Sequence, residues 1–94
     1  MTKKTTADRL AALLAIPKSR GLEATLKAQL IAAVVREAER RRLTHAWLAE
    51  RSGLPRSAVT GILAGSLQRV TIDRVLRLVE AAGLEAAIRI RRAA

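Results

Sequence analysis

The stretch Leu43-Thr-His-Ala-Trp-Leu-Ala-Glu-Arg-Ser-Gly-Leu-Pro-Arg-Ser-Ala-Val-Thr-Gly-Ile-Leu-Ala-Gly65 decides the fold. Thr44 is a good N-cap, because its hydroxyl can accept from a helix-start amide that has no other partner, and a helix is expected over His45 to Arg51. Ser52-Gly53-Leu54 reads as a tight turn, with Gly53 able to take positive φ. Pro55 suits the first turn of a second helix, where its missing N–H costs nothing. That helix runs to about Ala64 and stops at Gly65. Leu48, Leu54, Val59 and Ile62 are apolar and would anchor both helices on a core, and Ala49 is small where the two must cross closely. The face left over on the second helix is short and hydrogen-bonding: Arg56, Ser57 and Thr60, with Gly61 beside them.

The flanks extend the helical pattern. Leu26, Leu30, Ile31, Val34, Val35 and Ala38 recur at three- and four-residue spacing, so a long helix is expected from about Leu22 to Arg42. Glu23 near its start and Arg40, Arg41 and Arg42 at its end suit the helix dipole. Upstream, Thr6 can cap a short helix over Ala7 to Ile16, ended by Pro17, and Pro17 to Gly21 reads as a loop. Downstream, Thr71 caps a helix over Ile72 to Ala82, with Gly83 as its stop. The total is five helices. Leu84 to Arg92 then alternates, Ala86, Ile88 and Ile90 on one side and Ala87, Arg89 and Arg91 on the other, which predicts a strand. A single strand cannot satisfy its own backbone, and its cheapest partner is the same strand of a second copy across a two-fold axis. Leu84, Ala86, Ile88 and Ile90 are then the dimerisation residues; a frayed basic tail is the alternative. The organisation expected is an N-terminal arm and short helix over 1–20, a helical domain over 21–84, and a dimerisation strand with basic tail over 85–94.

Composition bounds the chemistry. Ninety-four residues make one small domain. Half are hydrophobic, nearly all aliphatic, and Trp47 is the only aromatic, which favours an all-α fold. There is no cysteine for a disulfide or thiolate site, and one histidine with eight scattered carboxylates leaves little for hydrolysis, so no enzyme, cofactor or metal is expected. Lys and Arg number 18 against 8 Asp and Glu, a net charge of +10, which points to a polyanionic partner. The excess is spread: +4 over residues 1–20, +2 over 21–52 and +4 over 53–94. Ala7 to Ile16 carries Asp8 and Arg9 and falls far short of the roughly 20 apolar residues of a membrane span, so a cytoplasmic protein associated with the nucleoid is expected. The scarcity of aromatics favours duplex DNA over stacking on single strands.

Two short helices joined by a glycine turn describe a helix-turn-helix. Residues 43–65 resemble the XRE/Cro (lambda-repressor-like) helix-turn-helix family, matching its Leu-Thr, Leu-Ala, Gly, Val, Ile and terminal Gly in register and without gaps. Thr71 to Leu84 resembles that family's next helix, and the resemblance spans about Ala24 to Leu84. The long approach helix and the Ile-Arg-Ile-Arg tail further resemble the subgroup that includes HigA-type antitoxins. The resemblance implies double-stranded DNA as partner, with Thr44, His45, Pro55, Arg56, Ser57, Thr60, Gly61, Gln68 and Arg69 at the interface. An arginine at Arg56 can reach guanine O6 and N7 bidentately; a phosphate contact is its alternative. Ser57 and Thr60 touch bases or phosphates, or Ser57 serves its own first turn. Gln68 and Arg69 suit phosphate. Three positions depart from the family: His45 stands where glutamine usually binds phosphate, Trp47 replaces a glutamate, and Gly61 replaces a longer base-reading residue.

The function expected is a homodimeric, sequence-specific transcriptional regulator, a repressor on a palindromic operator. An antitoxin that neutralises a toxin through Ala7 to Ile16 and represses its own operon is the alternative. A third reading, an architectural binder without sequence preference, would show a steep salt slope on any duplex.

Overall fold

A computed structural model describes residues 18–66 and 70–92 of the chain. Among these residues there are four helices: α1 over Lys18–Arg41, α2 over His45–Ser52, α3 over Arg56–Leu63 and α4 over Ile72–Ala81. The long α1 packs on α4 and α3, and α2 packs on α3 and α4. The core between them holds Ile31 and Val34 of α1, Leu48 of α2, Leu54 of the turn, Val59 and Ile62 of α3, and Val75, Leu78 and Val79 of α4. The four anchors expected from the sequence, Leu48, Leu54, Val59 and Ile62, are all buried.

Capping sets the helix limits. Thr44 Oγ1 accepts from the Trp47 amide at 3.0 Å, and Thr71 Oγ1 accepts from the Arg74 amide at 3.3 Å. Pro55 sits one position earlier than expected, as the residue before α3, with φ −59° and ψ 144°. Three of these helices end by one device: a residue at positive φ, then an amide reaching back five residues. Leu43 donates to Ala38 at 2.9 Å, Ser66 to Gly61 at 3.2 Å and Leu84 to Val79 at 3.0 Å. Gly65 and Gly83 supply the positive φ in two of them; in the first it is Arg42, at 55°, a conformation that favours glycine. Leu43 and Leu84 then fold onto the core. The ends of α1 and α4 are tied together where Arg41 Nη1 donates to the Ala82 carbonyl at 2.9 Å. Beside it, the Arg40 guanidinium bonds Glu37 at 2.8 Å and holds that carboxyl below the usual carboxylate range.

Several expectations need correction. Residues 18–21 are helical and not a loop. Glycine costs a helix interior only about 1 kcal/mol against alanine. At Gly21 that is too little to break a helix whose following turns bury Ile31 and Val34; Gly21 is itself buried, and its carbonyl accepts from Thr25 Oγ1 at 3.0 Å. The strand expected over Leu84 to Arg92 is not formed. Leu84 caps α4 and packs inward, while Ala86, Ile88 and Ile90 are exposed along irregular backbone. Among the described residues no segment pairs with it, and alternation without a ladder partner does not make a strand. The fifth helix, Ala7 to Ile16, lies outside the described residues. No helix among the described residues is long and apolar enough to cross a membrane.

Candidate nucleic-acid interface

The α2–turn–α3 unit is built so that one helix faces outward. Gly53 takes φ 74° and donates its amide to the Ala49 carbonyl at 3.0 Å, which closes α2 and turns the chain within two residues. The Ser52 hydroxyl steadies the same turn, accepting from the Leu54 amide at 3.3 Å. Leu54 then plunges into the core and α3 begins. Val59 and Ile62 hold α3 from behind. Arg56, Ser57 and Thr60, spaced over one turn, emerge on the opposite side, all exposed. Arg56 is the only charged residue in α3, so its face carries no competing carboxylate.

Gly61 lies next to that face. A Cβ built there would meet nothing within 4 Å, so the protein's own packing does not demand glycine. Leaving the side chain out keeps this part of the surface low.

Thr44 and His45 stand at the start of α2, whose first amides point outward without intrahelical acceptors. Thr44 spends its hydroxyl on the cap and stays exposed. His45 is half-buried, and its Nδ1 lies 2.9 Å from Thr60 Oγ1, which joins the start of α2 to the exposed face of α3. Sequence reasoning placed both residues at the interface but not in contact; they are fifteen positions apart, and only the crossing of α2 and α3 brings them together. Trp47 is half-buried against the core, as its apolar bulk requires, and the Arg51 guanidinium stacks over its ring at 4.7 Å. Sequence reading missed this pair, and the four-residue spacing of Trp47 and Arg51 on α2 is the signal that could have found it. A cleft of about 480 Å3 opens beside His45, with Val35, Ala38 and Leu43 on one side and Leu63 on the other.

The structure therefore joins His45, at the start of α2 beside Thr44, to Thr60 in the middle of α3, and it places Pro55, Arg56, Ser57 and Gly61 along α3 from its N-terminal side. Gln68 and Arg69 lie outside the described residues. Ile88 and Ile90 belong to a separate region, 79% and 90% exposed, with the arginines Arg89, Arg91 and Arg92 around them.

An outward helix held by a capped partner and a glycine turn is the architecture of a helix-turn-helix domain, the kind of unit with which regulators bind DNA. The chain belongs to the helix-turn-helix domain family, whose model matches residues 7–91. No curated protein and no solved structure matches it.

Proposed function

We propose that this protein is a sequence-specific regulator of transcription, binding double-stranded DNA as a homodimer and acting as a repressor on a palindromic operator, without enzymatic activity. The observation that carries this reading is the exposed face of α3, where Arg56, Ser57 and Thr60 project opposite the buried Val59 and Ile62. In this reading α3 enters the major groove. Arg56 reads guanine, Ser57 and Thr60 add shorter contacts, and the low surface at Gly61 lets the helix approach closely. Thr44, His45 and Pro55 are assigned to the phosphate backbone, as are Gln68 and Arg69, which follow α3 in the sequence. The spread positive charge supplies most of the affinity, and the α3 face supplies the preference.

Dimerisation completes the reading. Exposed Ile88 and Ile90 pair with the same segment of a second copy, so that the alternation from Ala86 onward becomes a strand once it has a partner. A two-fold dimer then presents two α3 helices to half-sites about one helical turn, roughly 34 Å, apart.

Selection of duplexes from a random pool, followed by gel shift at two salt concentrations, tests this. Wild type should select a two-fold symmetric site. Arg56→Ala should lose about 1–3 kcal/mol of discrimination at a single base pair in each half-site. Equal weakening on every duplex would remove the base-reading role of Arg56, and a pool that stays random would remove sequence-specific binding altogether.

A further inference from the structure

On the exposed face of α3, Thr60 is tied to another element by a side-chain hydrogen bond, and its partner is the one histidine of the chain. A threonine hydroxyl has one proton and two lone pairs, and an imidazole nitrogen is either a donor or an acceptor. With Nδ1 bare, the ring takes the Thr60 proton, and Oγ1 turns only lone pairs outward. With Nδ1 protonated, the ring donates to Oγ1, and the hydroxyl proton is free to point outward. The neutral ring can adopt either tautomer. The charged ring has protons on both nitrogens and imposes the second arrangement. The charged groups that line the cleft beside the ring are Glu39 of α1 and Arg42 just after it, of opposite sign; the end of α3 contributes only uncharged Leu63 and Ala64 there.

The two arrangements ask for different partners in a major groove. Lone pairs match the amino groups of cytosine and adenine, and an outward proton matches guanine O6 and N7, thymine O4 or a phosphate oxygen. We infer that His45 is a specificity-determining positioning residue: through the 2.9 Å bond to Thr60 it sets whether α3 offers the DNA a hydrogen-bond donor or an acceptor at that position. The inference rests on the DNA-binding reading above. It assigns His45 a task distinct from holding phosphate, and it makes base preference at one position a function of the ring's protonation.

Because His45 is the only histidine, its ring resonances are unambiguous in a nitrogen-15 spectrum of the full chain. In the free protein, Thr60→Val should change the tautomer ratio of the neutral ring, and Thr60→Ser should restore it. An unchanged ratio in Thr60→Val overturns the inference without reference to DNA. Sites are then selected from random duplexes at about pH 8 and about pH 5.5. Wild type and Thr60→Ser should shift preference at one base pair per half-site, from a base offering an amino donor to one offering an acceptor, by about three- to tenfold, the worth of one hydrogen bond. His45→Gln and Thr60→Val should select one site at both pH values. Arg56-dependent selection that does not change with pH in wild type overturns the role of His45 and leaves DNA binding standing. Failure of wild type to select any sequence overturns the DNA-binding reading, and this inference falls with it.

Discussion

The α2–α3 unit and the segment after Leu84 both carry a strong pattern in the sequence, and only one of them becomes regular structure. Residues 43–65 form two helices bounded by Thr44, Gly53 and Gly65, where the sequence places the stops. Residues 84–92 carry a two-residue alternation, sharpest over Ile88-Arg89-Ile90-Arg91, yet they form no strand. A helix closes its backbone hydrogen bonds within itself, and its ends need only a hydroxyl or a left-handed residue. A strand closes its bonds on a neighbour, and none of the described residues pairs with this segment. The first region is complete within the chain; the second has no such closure among the described residues.

That contrast can be broken from either side. The largest effect should come from the region satisfied internally. Leu48 is fully buried where α2 meets α3 and α4. Leu48→Ala should cost about 2–5 kcal/mol in thermal unfolding, a large share of the stability of a small domain. A loss below about 1 kcal/mol would mean that the α2–α3 unit does not depend on its own core.

Glycine chemistry supplies two intermediate effects of the opposite sign. Arg42 holds φ 55°, and Arg42→Gly should raise stability by about 1 kcal/mol by removing that strain. Gly61→Ala, with open space for its Cβ, should stabilise α3 by up to about 1 kcal/mol while weakening selective DNA binding. Unchanged DNA binding in Gly61→Ala would show that the low surface there has no part in the interface.

The unpartnered segment should respond differently. Replacing Ile88 and Ile90 together by Asp removes two exposed side chains, so unfolding of the isolated protomer should change by no more than about 0.5 kcal/mol. Sedimentation of the same variant should give a monomer where wild type gives a dimer. A dimeric double variant would place the two-fold contact elsewhere.

The smallest effect concerns acid. Arg40 lowers the Glu37 carboxyl in the folded state relative to the unfolded chain. The stability this adds is therefore fully present above the ordinary carboxylate range and is lost as pH falls through the lowered folded value. Arg40 is itself largely exposed to solvent and salt, so the loss should be slight, and Arg40→Ala should reduce it in melts followed from neutral to acid pH, with Arg41 still near the same carboxyl.

Much of the fold was legible because it rests on local rules. Thr44 and Thr71 cap as threonines at helix starts do, and Gly53, Gly65 and Gly83 take the left-handed backbone that glycine permits. Val59 and Ile62 are buried because helical spacing puts them on one side of α3, and Leu48 of α2 and Leu54 of the turn join them in the core. The loop reading of residues 18–21 failed on a real ambiguity, since a glycine inside a helix costs little once the helix is buried. The candidate site was legible as a set of residues but not as an arrangement. Arg56, Ser57 and Thr60 follow from the face left over on α3, whereas the pairing of His45 with Thr60 follows from nothing local.

The amino-acid sequence by itself therefore determined the helices, their caps, the buried side of each and the basic character of the surface. All of these depend on interactions between residues a few positions apart or on composition alone. The tertiary structure decided what depends on crossing and approach. It set His45 against Thr60, tied Arg41 to the end of α4, folded Leu84 back onto the core, and left Ile88 and Ile90 exposed. Contacts between residues far apart in the chain are fixed only when packed helices have chosen their angles, and no spacing rule in the sequence encodes that choice.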